Sequence, residues 1–287
     1  MDIKVRKLTP AFGAEATGAD LATGSLDQYQ AIRAAWLQSN GVLVVRDQHL
    51  SPEQHIAFGR MFGELYTYEG HAVARYVHPD HPEIYRVSNK IVDGKPQGRK
   101  GAGTYWHSDQ SYEKSPPSAS ILHAIEIPPV GGDTVFADLH RAYEALSEPM
   151  KKFLEPLQAM HSLAAAARTS YGKDLGDSAN RATAPSAVQP LIRVHPETGR
   201  RSLFINPGFT AAIEGLTPEE SDAVLQMLFT HIAKQDFCYR HTWSAHDLVI
   251  WDNRTTNHYA VSDYEGVGER LMNRVTVRGE PAFGVAA

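Results

Sequence analysis

Apolar positions along the chain follow two different periods, and the change falls near residue 83. In "DQYQAIRAAWLQSN" (27–40), Ile32, Ala35 and Trp36 stand at the spacing of an amphipathic helix. The helix leads into "GVLVVRDQ", a short, nearly continuous apolar run that predicts a buried strand. "SPEQHIAFGRMFG" begins with Ser51 as N-cap, Pro52 at the first helical position and Gln54 in the capping-box slot, and Gly63 ends it. After residue 83 short runs predict strands: "EIYRVSN", "SASILHAIEI", "DTVFADL", "PLIRVHP", "RSLFIN", "DLVIWDN" and "RLMNRVTVRG". Turn clusters such as "PPVGGD" and "HPETGRR" separate them, and helical patterns interrupt them at 139–167 and 217–235. The sum is a mainly β fold, a sandwich or barrel with flanking helices, of a length that suits one domain over 1–287 or two small ones. Residues 169–190 are polar and turn-rich, the composition of either a lid over a site or a mobile insertion.

Composition narrows the class. The chain is 42% hydrophobic and 21% charged with a net charge of −5, and no basic run points to nucleic acid or a membrane surface. One cysteine, Cys238, excludes an internal disulfide and any Cys-rich metal site. No signal peptide opens the chain and no apolar run approaches membrane-spanning length, so a cytoplasmic protein is expected, for which the sequon at Asn253 is idle.

Three residues carry candidate metal chemistry. "TYWHSDQSY" places His107 and Asp109 two apart, so that on an extended backbone both side chains point to one side. His258 in "LVIWDNRTTNHYA" is the candidate third ligand. Two imidazoles and one carboxylate make a facial triad that suits Fe(II) and leaves positions open for a bidentate cosubstrate and O2. Along "ERLMNRVTVRG", strand alternation puts Arg270, Met272, Arg274 and Thr276 on one face. Inward arginines require an anion to pair with. A solvated edge bearing Arg278 as well is the other reading of the same pattern.

"WHSDQSY", "PPVGGDTVFADLHRAYEALSE", "RVHPETGRRSLFINPGFT" and "LVIWDNRTTNHYAVSDY…RLMNRVTVRGE" closely resemble the Fe(II)/2-oxoglutarate-dependent taurine dioxygenase family, which includes 2,4-dichlorophenoxyacetate dioxygenases and alkylsulfatases. With "LTPAFGAEATGADL" near the start, the resemblance covers nearly the whole chain. It implies a double-stranded β-helix, or jelly roll. It implies His107, Asp109 and His258 as iron ligands, and Thr134 and Arg270 as the pair that binds the distal carboxylate of 2-oxoglutarate. Arg274 would hold the substrate's anionic group, with Gln110 contacting substrate through its backbone N–H and Phe209 and Tyr105 lining the pocket. The implied reaction hydroxylates a small organic anion while 2-oxoglutarate and O2 become succinate and CO2. Family members are commonly dimers or larger, so a homo-oligomer is expected.

The chain also departs from the taurine enzyme. Ala102 and Gly103 stand where that enzyme uses polar residues to hold the substrate amine, which makes taurine a poor fit and leaves room for an apolar body. After "FGEL", direct register places Tyr68 at the pocket, whereas an insertion would place His71 there; His71 is preferred, with Arg75 a further candidate. Arg270 follows His258 by twelve residues, one more than the family pattern. A non-catalytic metal-binding jelly roll or a metal-dependent hydrolase would share the ligands but leave the arginine face unexplained.

Overall fold

The computed structural model describes residues 3–10, 12–68, 73–168 and 183–285. The predicted first helix forms as Leu26–Gln38, with Ser25 accepting a hydrogen bond from the Gln28 N–H and Ile32, Ala35 and Trp36 buried. The second forms as Pro52–Arg60 with the full capping box between Ser51 and Gln54.

Eight strands make the main sheet, in the order Lys4–Lys7, Ala14–Thr17, Val42–Val45, Leu248–Asp252, Ala119–Glu126, Leu271–Val277, His81–Ser88, Val77–His78. All pairings are antiparallel except that of Ala14–Thr17 with Val42–Val45, which are joined through the first helix. One face of this sheet packs Leu43, Val45, Ile121, Ile250, Val275 and Val277 against the first two helices. From the other face, Val44, Leu122, Val249, Trp251 and Met272 meet Phe136 and Trp243. Phe136 belongs to a three-stranded sheet of Cys238–His241, Thr134–Asp138 and Thr256–Ala260. The core holding the candidate site therefore lies between two sheets. A separate apolar cluster packs the helices Leu139–Glu144 and Pro218–Ile232 on the strands Ile192–Val194 and Arg201–Leu203. Among the described residues no helix is long and apolar enough to cross a membrane.

The continuous helical pattern expected over 139–167 is corrected. Helix Leu139–Glu144 stops, Ser147 caps a second helix Glu148–Leu154, and Gln158–Ser162 is a strand followed by a 3-10 turn. The strand is fixed from both edges, by Ser186–Pro190 and by Thr210–Ile213, a tertiary pairing that overrides local helix propensity. The predicted loop 169–190 likewise ends in the strand Ser186–Pro190, and the rest of the proposed lid, 169–182, lies outside the described residues.

Candidate metal centre and adjoining anion pocket

His107 and His258 are brought together by backbone before side chains matter. The His107 N–H donates to the His258 carbonyl at 3.0 Å, and the His258 N–H returns a bond to the His107 carbonyl at 2.8 Å. Residues that exchange both bonds sit directly opposite and project to the same side. Their rings lie 4.0 Å apart between centroids. His258 stands in the strand Thr256–Ala260, where it pairs with Phe136 on the other side. Around His107 there is only this isolated bridge, and the chain turns at Gln110, whose φ is +47°. The expected alternation still holds across the turn. Ser108 faces away and donates to the Asn253 carbonyl at 2.6 Å, and Trp106 packs on Tyr259.

Candidate ligand atoms of His107, Asp109 and His258 all lie within 4.8 Å of one another, and all three residues are buried. His107 Nδ1 lies 2.8 Å from the Tyr105 carbonyl, so as the donor it leaves Nε2 free to ligate. Burial lowers the His107 pKa, and burial followed by the neighbouring His107 charge lowers that of His258 well below its ordinary value. Both imidazoles are therefore neutral, the form that binds metal. For Asp109, burial opposes ionisation, but Arg274, then His258 and His107, outweigh it and hold the carboxyl well below the usual carboxylate range. The donor set fits a divalent ion.

Asp109 is held by residues that sequence reading did not single out. Ser120 Oγ donates to Asp109 Oδ2 at 2.7 Å. Asn253 Oδ1 accepts the Asp109 backbone N–H at 3.3 Å and the Trp251 indole N–H at 3.0 Å, while its Nδ2 donates to Ser120 Oγ at 3.0 Å. The signal was present in "WDNR", where Asn253 is fully buried in a run too polar for a plain strand end. Gly103 has a role beyond leaving space. Its φ is +77°, and a Cβ there would stand 2.9 Å from His107 Cε1. Backbone needs the glycine and the imidazole needs the room.

The cluster opens into a cleft lined by Thr134, Arg270, Arg274, Tyr105, Gln110 and Phe209, each of them expected from the sequence. Phe209 stands edge-on to Tyr105, His107 and Tyr112. Ala102, Val73 and Val87 form an apolar stretch of wall, and Tyr85 and Tyr68 lie near the arginines. Tyr68 is buried and lines the cleft, whereas His71 lies outside the described residues and Arg75 is exposed, its guanidinium over Tyr76.

The two inward arginines differ in partners. Arg274 Nη1 donates to Asp109 Oδ1 at 2.7 Å, and its Nη2 reaches the Tyr68 hydroxyl at 3.4 Å. Arg270 is buried with its guanidinium over the rings of Trp243 and Tyr264, and among the described residues it has no carboxylate partner. Arg278, by contrast, is half exposed and pairs with Glu64, so the solvated-edge reading applies to it alone. The extra residue ahead of Arg270 is absorbed. The Arg270 N–H donates to Asn89 Oδ1 at 2.8 Å, its carbonyl accepts from Ser88 Oγ at 2.7 Å, and the strand register resumes.

A mainly β fold whose two sheets enclose a His/Asp/His cluster beside the buried Arg270 and the partly buried Arg274 makes a candidate centre for a metal ion with an anion next to it. Residues 4–276 match the family described as "Taurine catabolism dioxygenase TauD, TfdA family", and the chain belongs to it. It is 36% identical to the (S)-phenoxypropionate/alpha-ketoglutarate-dioxygenase of Sphingobium herbicidovorans over 97% of this chain and 96% of that one. It is 33% identical to the alpha-ketoglutarate-dependent sulfonate dioxygenase of Saccharomyces cerevisiae over 97% of this chain and 67% of the relative. The crystal structure of a taurine dioxygenase from Burkholderia xenovorans superposes with a TM-score of 0.81 at 36% identity, covering 99% of this chain and 91% of the other. The chain is thus a dioxygenase dependent on alpha-ketoglutarate, that is, 2-oxoglutarate.

Proposed function

We propose that this enzyme uses Fe(II) held by His107, Asp109 and His258 to hydroxylate a small organic anion with an apolar body. The observation that carries the reading is the pairing of a buried, carboxylate-free Arg270 with Arg274 four residues on, both beside the His/Asp/His cluster. Resident Fe(II), with 2-oxoglutarate and O2 bound, supplies an oxidant able to attack an unactivated C–H bond, leaving succinate and CO2.

The chain's own groups do the rest. Arg270 and Thr134 hold the far carboxylate of 2-oxoglutarate, since a buried guanidinium without a counter-ion is costly and a carboxylate meets its fork. Arg274, beside Asp109, holds the acidic group of the substrate and so sets how far the attacked carbon stands from the metal. Tyr105, Phe209 and Tyr68 enclose the organic body and exclude water from the oxidant, with Gln110 at the turn above the ligands. Ala102 and Gly103 offer no polar side chain for an ammonium group, which disfavours taurine and favours a carboxylate, sulfonate or alkyl sulfate on an apolar or aryl body. We read the two facing sheets as the halves of a double-stranded β-helix, and the chain as one domain.

The test is succinate formation from 2-oxoglutarate across a panel of phenoxypropionate, alkylsulfonate, alkyl sulfate and taurine. Oxygen-dependent turnover is expected with one or more of the first three and weakest with taurine. Oxygen-independent turnover, or preference for taurine, would overturn the assignment.

A further inference from the structure

Trp243 is buried behind the anion pocket and touches both residues read above as the 2-oxoglutarate clamp. Its indole N–H donates to Thr134 Oγ1 at 3.0 Å. Its ring faces the Arg270 guanidinium, whose central carbon lies 5.9 Å from the ring centroid, with Tyr264 at 5.8 Å as the second aromatic partner. The indole itself is held from behind, edge-on at 4.6 Å to His241, whose strand pairs His241 opposite Thr134.

The direction of the first contact has a chemical consequence. An indole N–H can only donate, so the Thr134 hydroxyl must act as acceptor toward Trp243. That leaves the single hydroxyl proton to be given elsewhere. Among the described residues no group accepts it, and Thr134 lines the cleft beside Arg270. A ligand there that carries an acceptor, such as a carboxylate, completes the hydroxyl's bonding. The second contact works on the cation. A guanidinium stacked over an aromatic face keeps its charge at lower desolvation cost and in a fixed plane, ready for a bidentate acceptor.

We propose that Trp243 is a positioning residue for the far carboxylate of the cosubstrate, turning the Thr134 proton toward it and holding the Arg270 plane. The inference rests on the reading of Thr134 and Arg270 as the cosubstrate clamp. It concerns only the distal end of 2-oxoglutarate, so it separates two cosubstrates that share the keto-acid end. 2-Oxopentanoate has the same chain length and ends in a methyl group.

The experiment measures anaerobic binding of both acids to Mn(II)-loaded enzyme for wild type, Trp243→Phe and Arg270→Ala. Phenylalanine keeps an aromatic face and removes the N–H. Trp243→Phe is expected to weaken 2-oxoglutarate about tenfold, the scale of a hydrogen bond to a charged system. Binding of 2-oxopentanoate and of Mn(II) should stay within about twofold. Placed in a Thr134→Val background, Trp243→Phe should cost little more, because the hydroxyl it directs is gone. Equal loss for both acids, no loss for either, or fully multiplying losses in the double variant would overturn the role of Trp243 while Arg270→Ala remains selective for 2-oxoglutarate. If Arg270→Ala is itself unselective, the clamp reading fails instead. Should Trp243→Phe not fold, the same pair of affinities in Trp243→Leu, which also removes the N–H, is read in the same way.

Discussion

His107 and His258 are partners through their backbones as well as their rings, exchanging hydrogen bonds of 3.0 and 2.8 Å across about 150 residues of sequence. Removing an imidazole leaves those bonds in place. His258→Ala is therefore expected to keep the fold, with secondary structure unchanged. Its divalent-metal affinity should fall by at least about 100-fold, because only two ligands remain. Circular dichroism and Mn(II) titration together check this; metal affinity within a few-fold of wild type would remove His258 from the ligand set.

Asp109 depends on a small polar network buried among apolar side chains. Ser120→Ala deletes the donor to Asp109 Oδ2 and strands Asn253 Nδ2 with no acceptor for its N–H. Leaving such a buried group unsatisfied costs about 1–3 kcal/mol. Loss of the hydrogen bond that orients a ligating carboxylate typically lowers metal affinity by about 10- to 100-fold. Both effects are expected in one variant, read by urea unfolding of the metal-free protein and by Mn(II) titration. A Ser120→Ala enzyme with native metal affinity would show that Asp109 is placed by its backbone alone.

Arg274 spans two tasks, since its Nη1 is 2.7 Å from Asp109 Oδ1 and its strand face opens on the pocket. In Arg274→Ala the metal-free protein keeps a buried carboxylate without its cation, a loss of about 3–5 kcal/mol by precedent for broken buried pairs. A divalent ion replaces that charge, so added Mn(II) should restore most of the melting temperature. Mn(II) should bind at least as tightly as to wild type, because a nearby positive charge has been removed. The KM for the anionic substrate should rise by at least about 100-fold, with lysine recovering only part of it as a point charge. Weakened Mn(II) binding would place Arg274 among the groups that build the metal site.

Much of the fold could be read from local signals. Ser51 with Gln54 forms the capping box its spacing predicts, and the apolar runs at Val42–Val45 and Leu248–Asp252 are buried strands. Two strands not evident in the sequence, Thr256–Ala260 and Gln158–Ser162, have no apolar alternation and owe their form to neighbours on both sides or on one. Site residues divide the same way. His107, Asp109 and Arg270 are visible as residue types in a pattern. Ser120 and Trp243 are not, because a serine in an apolar strand and a tryptophan before a turn gain meaning only from what stands opposite them.

Stability should fall steeply on mild acidification, for a reason separate from the metal centre. Burial pushes His55 down to about 3, His161 to about 3 and His140 to about 4, from an ordinary value of 6.5. Between 6.5 and these values the unfolded chain binds protons that the folded chain refuses, so acid favours unfolding. Near pH 5.5 each such histidine costs about 1.4 kcal/mol relative to alkaline conditions, or about 4 kcal/mol for the three. Asp138 works in the opposite sense. Burial raises its carboxyl to about 6 from 3.8, so the folded state takes up a proton first and gains stability as pH falls through that window. That single gain is about 0.8 kcal/mol near pH 5.5, leaving a loss of about 3 kcal/mol from these four groups alone. The depressed carboxyl of Asp252 adds stability that is lost only as pH falls below its unfolded value of 3.8, beneath this range. Urea unfolding of the metal-free protein from neutral pH down to about 5.5 reads the slope. His161→Gln should flatten it, since one of the buried neutral histidines is removed, and Asp138→Asn, which retains a capping oxygen, should steepen it. A midpoint independent of pH across this range would mean that these histidines take up protons in the folded protein after all.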